Sequence, residues 1–175
     1  MTSSAACRPL LFLDVDGPLN PFAIHLEALP AEYQVHEMRP DLWADPMLQP
    51  LRVCLNPAHG ARLLALPAEL VWATSWEHDA NSWIAPRLGL PELPVVGWPE
   101  DLNAHAPADL CWKTPTLLEY AAGRPFAFID DDITDADRLY AEARCEAPML
   151  FHHVDPAKGL TDADFAVLAE WLGAL

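Results

Sequence analysis

Two groups of aspartates, each arriving at the end of an apolar run, hold most of the chemistry in this chain. The first is Leu10-Leu11-Phe12-Leu13-Asp14-Val15-Asp16-Gly17-Pro18-Leu19-Asn20. The second is Phe126-Ala127-Phe128-Ile129-Asp130-Asp131-Asp132, with Asp135 and Asp137 beyond it. Carboxylates held close together repel by roughly 1–4 kcal/mol per pair, depending on the local dielectric. A chain keeps such clusters where a cation or a reaction needs them. Asp14 reads as a nucleophile and Asp16 as a general acid–base. The second group offers hard oxygen ligands suited to a partly hydrated octahedral Mg²⁺. A purely structural role, with Asp131, Asp132 and Asp135 capping the next helix, covers some of these acids. It does not account for acid clusters at two equivalent strand ends.

Two more residues join this pattern. Thr74-Ser75 closes another apolar run, Glu69-Leu70-Val71-Trp72-Ala73. A hydroxyl there can donate to a phosphate oxygen, although taken alone it reads as a helix N-cap. Lys113 stands just before Thr114-Pro115, at a helix start, where its charge opposes the helix dipole. It is placed to neutralise a nucleophile and a phosphate.

The elements that must position these groups alternate between strands and helices. Strands are expected at 10–14, 69–74, 93–97, 126–130 and 149–152. Helices are expected at about 57–66, 77–88 (kinked or split at Pro86), 115–122 and 136–146, with a last one capped by Thr161 and Asp164. Residues 20–50 are rich in proline. The alternating stretches Tyr33–Met38 and Leu51–Leu55 read as a hairpin, a flap at about 20–55 with a long tip. The pattern predicts an α/β fold: a Rossmann-like parallel sheet of about five strands with helices on both faces and no large cap domain. The whole chain, 1–175, reads as one domain.

Bulk composition narrows the function. The formal charge is −16, from 26 acids and 10 Lys plus Arg in 175 residues. No broad nucleic-acid-binding surface and no membrane grip are expected. Cys7, Cys54, Cys111 and Cys145 form no CxxC pair, which suits reduced thiols and a cytoplasmic location. Among seven tryptophans, Trp72 reads as core, and Trp76, Trp98 and Trp112 lie near strand ends, where packing is favoured over stacking on a base. His78 and His152-His153 lack metal-ligand spacing and read as solvated or hydrogen-bonded.

The order acid pair, hydroxyl, lysine, acid cluster resembles the haloacid dehalogenase (HAD) superfamily. Its DxDx[TV] strand end is matched by Asp14-Val15-Asp16-Gly17, its hydroxyl motif by Thr74 with Ser75 as the fallback, its lysine by Lys113, and its acidic pair by Asp130-Asp131. Asp135 fits the optional later acid. Pro18 departs from the Thr or Val of the pattern and implies a differently shaped loop. More narrowly, Asp14–Asn20, Trp72-Ala73-Thr74-Ser75-Trp76 and Ile129-Asp130-Asp131 resemble the HAD domain of Swiss Army Knife RNA repair proteins. The resemblance implies a Mg²⁺-dependent phosphohydrolase acting through an aspartyl phosphate on Asp14. It implies Asp16 as acid–base, and Asp16, Gly17, Thr74, Ser75 and Lys113 around the phosphate. Metal ligands would come from Asp14, the Asp16 carbonyl, and Asp130 or Asp131. The substrate would be phosphorylated: a small molecule, a nucleic-acid end or a phosphoprotein. A phosphotransferase, or an idle scaffold that binds a partner or phosphorylated ligand, are the rival readings.

Overall fold

A computed structural model describes residues 8–43, 45, 47–99 and 109–175. In chain order its strands are β1 (Leu10–Leu13), β2 (Gln34–Met38), β3 (Leu51–Leu55), β4 (Glu69–Trp72), β5 (Phe126–Asp130) and β6 (Met149–His153). Its α-helices are α1 (Ala58–Leu64), α2 (Ala85–Leu88), α3 (Thr114–Ala121), α4 (Asp135–Glu142) and α5 (Asp162–Gly173). Strands β4-β1-β5-β6, in that spatial order, form a parallel sheet, and β2 and β3 form a separate antiparallel pair.

The apolar run of β1 explains the layering. All four of its side chains are fully buried. Leu11 and Leu13 join one core with Leu63 of α1, Leu88 of α2 and Phe165, Leu168 and Leu172 of α5. Leu10 and Phe12 join the other with Leu117 and Ala121 of α3 and Ala141 of α4. This period-two split inside an unbroken apolar run is the mark of a parallel strand covered on both faces. Each large side chain so buried contributes about 1.5–3 kcal/mol. Gly60 lets α1 approach α2, because a Cβ there would collide with the Leu88 carbonyl oxygen.

Three expected elements differ in detail. The strand at 93–97 shrinks to one bridge, Trp72 to Val95, made by Trp72 N–H to Pro94 O and Val96 N–H to Trp72 O. Pro94 has no N–H with which to extend the ladder. The helix at 77–88 is a π-helical turn, Ala80–Ile84, followed by the single α-turn of α2. Pro86 sits at the start of that turn, and the wider turn before it accommodates the missing donor. Helix α4 stops at Glu142 rather than 146, where Arg144 and Cys145 both turn back to the Ala141 carbonyl.

The hairpin at 34–55 forms as expected, with Gln34 opposite Leu55 and Met38 opposite Leu51. One face of it is anchored in the core through Met38, Val53 and Leu55. Its tip is closed by Trp43 Nε1 donating to Gln49 O at 3.1 Å and Arg39 Nη1 donating to Leu48 O at 2.9 Å. Cys54 and Cys111 are buried, Cys145 is half-buried, and all three are free thiols. Cys7 lies outside the described residues. Among the described residues, no helix is long and apolar enough to cross a membrane.

Candidate active site

Parallel register brings the two acid groups together. Leu13 of β1 pairs with Ile129 of β5, so the residues that follow them leave the sheet side by side. Asp14 N–H extends the ladder to Ile129 O at 3.1 Å. Asp14, Asp130 and Asp131 each present a carboxylate oxygen, all within 4.8 Å of one another. Lys113 Nζ lies 2.7 Å from both Asp14 Oδ2 and Asp130 Oδ2. The other oxygens accept backbone donors: Val15 N–H to Asp14 Oδ1 and Asp132 N–H to Asp130 Oδ1, both at 2.8 Å. Asp14, Asp130 and Lys113 are buried, and Asp131 is half-buried. Gly17, at φ +86°, gives Asp131 its space, since a Cβ there would come within 2.5 Å of the Asp131 carboxylate.

The electrostatics record the crowding. Burial, then the Asp14 charge, raises the pKa of Asp130 to about 7 against the opposing pull of Lys113. Burial, then Asp132 and Asp14, raises that of Asp131 to about 6. For Lys113, burial alone would lower the pKa, but Asp14 and Asp130 together outweigh it and the net shift is upward, so the ammonium stays charged. Asp16 is shifted upward chiefly by burial, with Asp14 adding to it and donors from Asn20 and Trp76 holding it back.

Two clamps hold this arrangement, and neither was anticipated from the sequence. Asp137 is fully buried. Its Oδ1 accepts from Cys111 N–H at 3.0 Å and Thr114 Oγ1 at 2.6 Å, and its Oδ2 from Thr134 N–H at 2.8 Å and Thr134 Oγ1 at 3.0 Å. One carboxylate thus caps α4 and fixes the 111–114 segment that delivers Lys113. Thr134-x-x-Asp137 is a capping-box pattern that could have revealed half of this role. Asp131, Asp132 and Asp135 are therefore not the cap. The second clamp holds Asp16: Asn20 Nδ2 donates to Oδ1 at 2.7 Å and Trp76 Nε1 to Oδ2 at 2.9 Å. Asn20 also accepts from Cys54 N–H at 2.9 Å, tying this loop to the hairpin.

The remaining candidates separate. Thr74 is fully buried, its Oγ1 accepting from Trp76 N–H at 3.3 Å and its carbonyl from Trp98 Nε1 at 2.9 Å. Ser75 is exposed and lines a cleft of about 210 Å³ with Asp16, Trp76, Asp79, Pro40, Trp43 and Leu51. Trp98 and Trp112 meet edge to face at 4.7 Å, and Lys113 Nζ sits 5.5 Å from the Trp112 ring centre. Asp135 stands apart from the cluster, its side chain 95% exposed and paired with Arg138 at 2.7 Å. His152 Nε2 contacts Asp164 Oδ1 at 2.7 Å, while His78 is exposed.

The sequence model of the family described as the HAD domain in Swiss Army Knife RNA repair proteins matches residues 10–165. The chain belongs to this family. HAD domains are of hydrolase or phosphotransferase type, take phosphorylated substrates and commonly use Mg²⁺. In this HAD domain the acids and the lysine meet at the carboxyl ends of β1 and β5, where open α/β folds bind ligands. No curated protein and no solved structure matches the chain.

Proposed function

We propose that this HAD domain is a Mg²⁺-dependent phosphohydrolase that works through an aspartyl phosphate on Asp14. The convergence of the Asp14, Asp130 and Asp131 carboxylates around a single lysine carries this reading. The donor set fits the metal. All three are hard oxygen ligands of the kind a partly hydrated Mg²⁺ takes. The pKa values of Asp130 and Asp131 are raised first by burial and then by neighbouring carboxylates, so a bound cation would favour their charged forms. Asp14, Asp130 and Asp131, with the Asp16 carbonyl, would hold Mg²⁺. When bound, it would neutralise charge between nucleophile and phosphate.

The chain's own residues do the rest. A carboxylate oxygen of Asp14 forms a bond to phosphorus as the ester oxygen leaves. Asp16, clamped by Asn20 and Trp76, gives its proton to the departing alkoxide, then takes one from the water that hydrolyses the acyl phosphate. Its upward-shifted pKa suits the first of these steps. Lys113, Thr74 and Ser75 orient the transferring group, and Gly17, whose N–H is bonded to the Asn20 carbonyl at 2.9 Å, shapes the turn beside it. The hairpin acts as the flap over the site, and the chain works as one domain.

Turnover of an aryl phosphate with Mg²⁺, a trapped phosphoenzyme, and loss of both in Asp14→Asn are expected. Mg²⁺ should raise the melting temperature of the wild type and not of Asp130→Asn. Full turnover by Asp14→Asn would refute the proposal. Transfer to added alcohols in preference to water would make the enzyme a phosphotransferase.

A further inference from the structure

We infer that the cleft between Asp16 and the hairpin tip is a leaving-group subsite for an uncharged aromatic alcohol. This rests on the phosphohydrolase reading above. The cleft is walled by Asp16, Ser75, Trp76 and Asp79 on the sheet side and by Pro40, Trp43 and Leu51 on the hairpin side. Of the acid–lysine cluster, none of Asp14, Asp130, Asp131 and Lys113 lines it. Asp16 joins the two regions. With the phosphoryl group at the cluster, the alcohol that Asp16 protonates lies in this cleft.

Its walls select what that alcohol can be. Two indoles, a proline ring and a leucine present apolar surface, and both indole N–H groups are already engaged. Trp76 Nε1 is bonded to Asp16 and Trp43 Nε1 to the Gln49 carbonyl. What they offer a ligand is ring, not donor. A 210 Å³ space exceeds the apolar cavity of about 150 Å³ that admits benzene and falls below the roughly 300 Å³ of drug-sized sites. One ring, or a fused pair, fits. Among the described lining residues there are two acids and no lysine or arginine. A leaving group bearing further phosphates would enter a cleft lined by Asp16 and Asp79 in a chain of net charge −16. On the same loop as Trp43, Met47 and Leu48 are exposed. The substrate class is therefore a phosphomonoester of a compact neutral aromatic alcohol, not a nucleic-acid end.

The test compares kcat/KM for 2-phenylethyl phosphate, propyl phosphate and a 5′-phosphorylated oligonucleotide with Mg²⁺. The first two carry alcohols of similar basicity, so the comparison isolates the ring. The aromatic ester should be preferred by about tenfold or more over the other two. Trp43→Ala, at an exposed tip that spares the core, should bring the ratio toward one mainly through KM, and Trp43→Phe should retain most of it. Equal kcat/KM values, preference for the oligonucleotide, or a ratio unchanged in Trp43→Ala would overturn the subsite while leaving the phosphohydrolase intact. No turnover of any ester would overturn the phosphohydrolase reading and the leaving-group role with it. Independently of turnover, 2-naphthylmethanol should quench the protein's tryptophan fluorescence saturably in the wild type and not in Trp43→Ala. Absence of that binding overturns the subsite whatever the catalytic result.

Discussion

At the starts of α4 and α5 an aspartate sits three residues after a threonine and is surrounded by donors. At the ends of β1 and β5 aspartates face one another. Asp137 accepts four hydrogen bonds. Asp164 accepts from Thr161 N–H at 2.7 Å and Thr161 Oγ1 at 2.6 Å, with His152 on its other oxygen. Burial alone would raise the pKa of Asp164, yet these donors together lower it. Asp130 is as deeply buried as Asp137, but shares Lys113 with Asp14, and its pKa rises to about 7. Residue type and burial are the same in Asp130 and Asp137. What differs is that Asp130, besides its donors Lys113 and Asp132 N–H, has the Asp14 carboxylate beside it. Donor-rich acids stabilise the fold, and crowded acids hold an unfavourable charge ready for a ligand.

Substitutions can break this comparison. Asp14→Asn should cut turnover on the order of 10³-fold or more, as loss of a nucleophile does. Because it removes one of three crowded charges, urea unfolding should show no loss of stability. A large loss of stability would mean that the crowd is structural after all. Lys113→Met should do the reverse to the fold. It leaves Asp14 and Asp130 buried without a cation, which costs about 3–5 kcal/mol when one partner of a buried ion pair is removed. Asp137→Ala should cost about 2–3 kcal/mol, since Cys111 N–H and the Thr114 hydroxyl lose their acceptor in the interior. It should also lower kcat, because the segment carrying Lys113 loosens. Unchanged kcat would show that α3 places Lys113 unaided.

Asp164→Ala should have the smallest effect, about 1 kcal/mol, as for a lost helix cap, with catalysis intact. The pH dependence carries the sign. The folded pKa of Asp164 lies below its ordinary value, so its contribution is present above the unfolded pKa of about 3.9 and fades as pH falls through the folded value. Wild type and Asp164→Ala should therefore differ in melting temperature at pH 7 and converge in strong acid. A gap that widens in acid would contradict this assignment.

The strand ends and their acids were legible because each is a local event, an apolar run stopped by carboxylates. The Thr161–Asp164 box was legible for the same reason: its bonding partners are three residues apart. Pro94 was present in the reading of 93–97 as a strand, but its missing N–H reduced the pairing to one bridge. The roles of Trp76 and Asp137 were hidden. Trp76 reads as a packing residue, and only the fold brings its N–H to Asp16, sixty positions earlier. Asp137 reads as a helix-start acid, and its hold on Cys111 and Thr114 spans twenty-odd positions.

By itself, the order of residues determined the alternation of strands and helices, the family, and which side chains have reactive chemistry. Hydrophobic periodicity and motif content are short-range properties, readable within a few residues. Tertiary structure alone decided which acids share an oxygen cage, which are tied up as caps, and that Asp16 opens onto an indole-walled cleft. Those outcomes depend on strand register and on donors supplied by distant segments, and the free energy of a buried carboxylate is set by whatever the fold places next to it.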